Sequence, residues 1–142
     1  MKPRYEVAVG IIEQGGKILL TRRKPGDHLG GYWEFVGGKR RPGESLSAAL
    51  GREAQEELGI RLGDIRAWRR LTYAYPERIV ELHVHRCRIV SGTPRPLDCA
   101  GMAWVDARTL AQYNMPPANR PIVATLCQFW LYRHGLRDTI SI

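Results

Sequence analysis

The chain has 142 residues, 44% of them hydrophobic and 25% charged, which is the composition of one ordinary globular domain over 1–142 and excludes a disordered or fibrous chain. A chain of this length buries roughly two-thirds of the surface its unfolded form exposes, so it needs no disulfide or structural metal to hold a core. The net charge of +8 favours polyanionic ligands: a nucleotide, a nucleic acid or a membrane surface. Cys87, Cys99 and Cys127 form no CxxC pair and have no His at zinc-finger spacing, so a reducing, cytoplasmic setting is expected. The segment from Met1 to Glu13 has one short apolar run, interrupted by Glu6, Gly10 and Glu13, and reads as neither a signal peptide nor a membrane span.

Val7, Val9 and Ile11 alternate with Ala8 and Ile12 as a first strand. Gly15-Gly16 turns it into a second over Lys17 to Arg22. Lys24 to Tyr32 reads as a loop, and Trp33 to Val36 as a short strand that ends at Gly37-Gly38. Ser45 to Leu58 predicts a helix: Leu46, Ala49, Leu50 and Ala54 recur at helical spacing, with Ser45 as N-cap and Gly59 as the stop. Gly51 inside it costs about 1 kcal/mol relative to Ala, tolerable if something packs closely there. Ile65 to Tyr75 and Arg78 to Ile89 read as paired strands about Pro76-Glu77. In the second, Val80, Leu82 and Val84 alternate with Glu81, His83 and His85, giving one buried and one polar face. Met102 to Val105 is a further strand and Asp106 to Gln112 a short helix. Ile122, Leu126, Phe129 and Trp130 share one face of a last helix, with Asn119 placed as its N-cap. This order predicts a mixed α/β sandwich.

The chemistry concentrates in Gly38 to Ile60. Glu53, Glu56 and Glu57 stand at i, i+3 and i+4, within a sector of roughly 100° on the helix. Three carboxylates on one stripe repel each other, and a hard divalent cation would relieve that repulsion, since Mg²⁺ takes a few carboxylates together with phosphate oxygens and water. A solvated Glu-rich face is the bland alternative for an isolated ExxEE. The flanks argue against isolation: Gly37-Gly38 ends a strand, Pro42-Gly43-Glu44 leads into the helix, and Glu44 lies near its positive N-terminus.

This stretch resembles the Nudix box, whose pattern is G, five residues, E, seven residues, then REUxEExGU with U bulky and apolar. Gly38, Glu44, Arg52, Glu53, Ala54, Glu56, Glu57, Gly59 and Ile60 occupy its fixed positions, with Ala54 small for a U site. Glu6 to Arg23, Tyr32 to Lys39 and Pro116 to Ala124 are similar to the MutT branch. The resemblance implies a mixed sheet between helices, with the box at 38–60 forming a loop-helix-loop. It implies Mg²⁺, with Mn²⁺ as a substitute, on Glu53, Glu56, Glu57 and the Gly37 carbonyl. It implies hydrolysis of a nucleoside triphosphate, above all 8-oxo-dGTP, to a monophosphate and pyrophosphate.

Carried over residue by residue, Glu53 deprotonates the attacking water, Arg52 orients a neighbouring Glu, and Glu44 supports the loop or an outer metal position. Asp98 matches a late acidic ligand but is a methylene shorter than the usual Glu. Arg23, His28, Glu34 and Phe35 match nucleotide-side positions, with Phe35 either stacking or core. Asn119 either reads a purine edge or caps the helix. Two departures from the branch stand out: Val36 stands for a common Pro, and Arg78 stands where an apolar pocket residue is expected; the second bears on the base and raises CTP or 5-methyl-dCTP as an alternative substrate. An RNA-end hydrolase and a nucleic-acid-binding module are further readings, the latter resting on the +8 charge. His83 and His85 are either a polar strand face or a second metal pair. The small-molecule nucleotide is the expected partner, nucleic acid is not required, a membrane is not expected, and the oligomeric state is not encoded in any motif.

Overall fold

The computed structural model describes the backbone of residues 1–133 and the side chains through Phe129. Six strands form one mixed sheet: β1 (Arg4–Gln14), β2 (Lys17–Arg22), β3 (Trp33–Lys39), β4 (Arg61–Ala74), β5 (Ile79–Ser91) and β6 (Gly101–Val105). Their order across the sheet is β4-β5-β1-β3-β2-β6. β1 and β5 run parallel; the other pairs are antiparallel.

Each face of the sheet buries its own cluster. On one, Ala8, Ile12, Leu19 and Val36 pack against Ala49, Leu50, Ala54 and Leu58 of helix α1 (Leu46–Leu58). On the other, Val9, Ile11, Leu20, Phe35, Leu82 and Val84 pack against helix α2 (Ala107–Leu110), a 3₁₀ turn (Pro117–Asn119) and helix α3 (Arg120–Arg133), through Leu110, Ala118, Ile122 and Leu126. The strict alternation of β1 is what serves both clusters at once. The expected mixed sheet between helices is present.

The α1 boundaries follow from local chemistry. The Ser45 hydroxyl accepts the Ala48 N–H at 3.0 Å, and Gly59 takes the left-handed conformation with φ 69°, its N–H donating to the Gln55 carbonyl. Asp106 caps α2 in the same manner, accepting from the Arg108 and Thr109 amides.

Several expectations need correcting. β3 does not end at Gly37-Gly38 but continues through both to Lys39, because β1 pairs with it over Val36 to Lys39. Gly37 is there for close approach: a Cβ at that position would overlap the Ala8 carbonyl oxygen of β1. β4 and β5 are longer than their apolar alternation, since their hairpin carries bulges that break the pattern between Arg61 and Arg69. The second face of β5 is polar as expected, but it is largely covered. His85 is 5% exposed, its Nδ1 lying 2.9 Å from the His83 carbonyl, and His83 lies 3.5 Å from Glu81. Gly51 has no close packing to justify it, for a Cβ there would meet nothing within 4 Å. Asn119 does not cap α3 through its side chain; the chain enters that helix from the 3₁₀ turn, already helical, and no side-chain bond of Asn119 occurs among the described residues. Ile122 and Leu126 are buried as expected, whereas the side chain of Trp130 lies outside the described residues.

Candidate active site

A cleft of about 1000 Å³ opens where the ends of β1 and β3 meet α1 on one side and the β4–β5 hairpin and 3₁₀ turn on the other. Its α1 wall carries Glu53 and Glu57; β3 contributes Gly37, Gly38 and Lys39. Arg23, His28 and Glu34 lie along a second wall, and Tyr75, Arg78 and Asn119 along a third. Phe35 lines the cleft and is 3% exposed within the core, so it forms the floor rather than a projecting stacker.

Arg52 organises the acidic wall. Its Nε and Nη2 donate to the two Glu44 oxygens at 2.7 and 3.0 Å, and its Nη1 donates to Glu53 Oε1 at 2.7 Å. Nη2 also donates to the Lys39 carbonyl at 3.1 Å, tying α1 to the end of β3. Charge-assisted forks of this kind are stronger and more directional than neutral hydrogen bonds. Glu44 also accepts the Arg41 amide at 3.0 Å, and the Arg52 bonds together with that amide lower its carboxyl to about 2. Arg52 is itself raised, first by Glu44. Glu44 is thus a loop anchor, and Arg52 an orienting group.

Glu53 is pressed against the strand. A Cβ on Gly38 would stand 2.5 Å from its carboxyl carbon, so a glycine is what admits Glu53 to the cleft. Glu57 lies deeper. Its Oε1 is buried and has no hydrogen-bond partner among the described residues, and burial, followed by the charges of Glu34, Glu53 and Asp98, pushes the carboxyl up to about 9. Glu34 is also raised by burial, against the opposing charge of Arg23, whose Nη1 meets its two oxygens at 2.9 and 3.1 Å.

The other expected residues are placed less centrally. Glu56 is 45% exposed on the rim, 3.5 Å from Arg52 and 3.9 Å from Arg41. Asp98 does not line the cleft. It is 57% exposed and ion-paired with Lys24, although its amide donates to the Glu57 carbonyl at 3.2 Å. Arg23 is fully engaged, its Nε donating to the His28 carbonyl at 2.6 Å, and the exposed His28 ring meets Tyr75 edge-on at 6.5 Å. Among the described residues no three His, Cys, Asp or Glu side chains converge on one point. What fits a hard cation is the pair Glu53 and Glu57, all-oxygen in character, with the orphaned Glu57 oxygen as the open position.

Sequence reasoning passed over Tyr5 and Tyr75, which line the cleft together with Lys39. Tyr5 shares the parity of Val7 and Val9, so extending the first strand by one repeat would have found it. The Tyr75 hydroxyl accepts the Ala118 amide at 3.2 Å and joins the hairpin to the 3₁₀ turn, a contact between residues 43 apart that no local pattern announces.

Residues 7–125 match the family described as NUDIX domain, so the chain belongs to the Nudix family. It is 37% identical over 120 residues to a CTP pyrophosphohydrolase of Escherichia coli, covering 83% of this chain and 87% of that protein. It is 33% identical over 124 residues to the 8-oxo-dGTP diphosphatase of the same organism, covering 87% and 96%. Among solved structures it resembles MutT described from Aliivibrio salmonicida and Vibrio cholerae, with a TM-score of 0.69 and 32% identity over 88% of this chain and 98% of that one. The E. coli ORF135 protein gives 0.71 and 33%, with 92% of each chain covered. Within the family this is a MutT-like hydrolase that acts on phosphoanhydride bonds.

Proposed function

We propose that the chain hydrolyses a nucleoside triphosphate to the monophosphate and pyrophosphate with Mg²⁺ bound at Glu53, Glu57 and the Gly37 carbonyl, Glu56 turning in from the rim. The observation that carries this reading is the buried, unpartnered Glu57 oxygen beside Glu53 in the cleft. An acid left without a partner at that depth is costly unless something positive completes it. A bound divalent ion supplies charge neutralisation for the polyphosphate and a more acidic water.

Glu53 is the general base in this reading. Arg52 holds its Oε1 and leaves Oε2 free to take the proton of the attacking water. The water oxygen bonds to the β-phosphorus while the bond from that phosphorus to the α–β bridging oxygen breaks. The bridging oxygen leaves with the nucleoside monophosphate, and pyrophosphate carries the new oxygen. Arg52, Glu44 and the Lys39 carbonyl keep the base fixed throughout.

For the base we favour oxidised guanine, as in 8-oxo-dGTP. The Asn119 carboxamide lines the cleft and makes no hydrogen bond among the described residues, and an amide that both donates and accepts matches a purine edge. A cytosine nucleotide such as CTP or 5-methyl-dCTP is the second reading, favoured by the cationic Arg78, which lines the cleft where an apolar pocket residue is expected. The test is a panel with Mg²⁺ that contains 8-oxo-dGTP, dGTP, CTP, 5-methyl-dCTP and 5′-triphosphorylated RNA, compared by kcat/KM. A preference for 8-oxo-dGTP supports the first reading and a preference for cytosine nucleotides the second. Absence of turnover on every member overturns both.

A further inference from the structure

β4 and β5 carry six arginines against two acids, so these two strands hold +4 of the chain's net charge of +8. The hairpin register gathers four of the six on one face. Arg66 stands opposite Arg86, Arg69 opposite Val84, and Gly63 opposite Arg88. Val84 belongs to the apolar cluster under α3, and side chains two apart on a strand share a face. Arg66, Arg69, Arg86 and Arg88 therefore continue that face beyond the cluster. A groove of about 490 Å³ lies there, lined by Trp68, Arg66, Arg86 and Arg88 together with Glu13 and Asp64. None of these residues lines the cleft, and Arg69 is roughly 20 Å along β4 from Tyr75.

The acids orient this surface without neutralising it. Asp64 takes Arg66 at 2.9 Å and Arg88 at 3.8 Å, yet those two side chains stay 77% and 70% exposed. Glu13 lies 3.6 Å from Arg86. Exposed Arg69 has no ion pair among the described residues and lies 5.1 Å from the Trp68 ring centroid. On this face the guanidiniums thus outnumber the carboxylates twofold.

Edge protection does not account for the pattern. β4 is an edge strand, and charges on it discourage pairing with another chain. Arg86 and Arg88 sit on β5, an interior strand, where no edge needs guarding. The planar fork of arginine suits phosphate oxygens. Arg86 and Arg88 stand about 7 Å apart along β5, on the scale that separates consecutive phosphates of an extended strand. An aromatic ring among such cations suits unpaired bases, which offer their faces for stacking.

We propose that this arginine face of the β4–β5 hairpin binds the phosphate backbone of a single-stranded nucleic acid, at a surface separate from the cleft. The proposal does not depend on the nucleotide reading above.

The test titrates the full chain in EDTA against a fluorescent oligo(dT) about 20 nucleotides long, a duplex of the same length, and phosphatidylserine vesicles, across a range of KCl. Arg66→Gln, Arg69→Gln and Arg88→Gln are combined in one variant. A control variant combines Lys17→Gln, Arg95→Gln and Arg108→Gln, three exposed cations outside β4 and β5 that remove the same charge. The wild type is expected to bind oligo(dT) more tightly than the duplex, with affinity falling steeply in salt. The hairpin variant is expected to lose about 10-fold or more in affinity, and the slope of log affinity against log salt to fall by about 2. The control is expected to stay within about threefold of wild type, and both variants to keep the wild-type kcat and KM on a mononucleotide. No binding of oligo(dT) by the wild type, equal losses in the two variants, a preference for the duplex, or binding to the vesicles alone overturns the proposal. The titrations need neither metal nor turnover, so they decide this surface even if the chain hydrolyses no nucleotide.

Discussion

Arg52 reaches Glu44 through two parallel hydrogen bonds and Glu53 through a third, so one guanidinium links the loop before α1 to the acid at its centre. Arg52→Lys keeps the charge and loses the fork. With hydrogen bonds to charged groups worth about 1.5–3 kcal/mol, kcat is expected to fall about 10- to 100-fold while KM changes little. Steady-state kinetics on purified variant and wild type check this; unchanged kcat would remove Arg52 as the group that orients Glu53.

Glu53→Gln is expected to lower kcat by about two to four orders of magnitude and to leave the melting temperature nearly unchanged. The amide is close to isosteric and sits at the cleft rather than in either core cluster. Kinetics paired with thermal unfolding separate the two effects. A variant retaining most of its turnover contradicts the assigned base.

The depression of Glu44 to about 2 makes a prediction about acid stability. Its folded value lies below the ordinary glutamate value of 4.5, so the stabilisation it provides is fully present above pH 4.5 and is lost as pH falls towards 2. Glu44→Gln lacks this linkage. The variant is expected to be less stable than wild type at pH 6, with the gap closing between pH 4.5 and 2. Chemical denaturation across that range tests it, and a gap independent of pH would contradict it.

Adjacent glycines are expected to fail in different ways. Gly37→Ala drives a methyl into the Ala8 carbonyl and forces β1 and β3 apart, costing about 1–3 kcal/mol or more. Gly38→Ala meets only the flexible end of Glu53, so the fold survives while the base is displaced and activity falls. Melting temperature and kcat measured on both variants check the contrast; it fails if Gly38→Ala unfolds the chain or Gly37→Ala is as stable as wild type.

Gly51→Ala is expected to stabilise the chain by about 0.5–1 kcal/mol, raising the melting temperature by a few degrees without changing turnover. The added methyl meets open space on α1. Thermal unfolding decides, and a fall in stability would mean that Gly51 serves a contact the helix geometry does not display.

What the sequence announced and what it withheld follow from range. Ser45 and Gly59 were legible because a cap is a contract between residues a few positions apart. Glu53 and Glu57 were legible as a stripe because helical spacing alone puts them together. Glu56 lies on that stripe, yet its side chain stays on the rim, 3.5 Å from Arg52 and 3.9 Å from Arg41 of another segment, which spacing along one helix does not tell. Gly37-Gly38 looked like a strand stop because their reason for being glycine is the approach of β1 and Glu53, both distant in sequence. The Asn119 cap failed because a 3₁₀ turn supplied the helical entry first. Tyr5, Lys39 and Arg78 formed no motif, since they meet only across two strands and the turn before β5.

The two faces of the sheet carry separate apolar clusters, and the cleft borrows one wall from each. The acids ride on the α1 layer, while Tyr75 and Asn119 belong to the layer of the hairpin and 3₁₀ turn. On the proposed function, replacements that reshape the second layer retune which nucleobase is admitted without disturbing the acids assigned to hydrolysis. A scaffold divided in this manner lets specificity wander across generations while the hydrolytic step stays put.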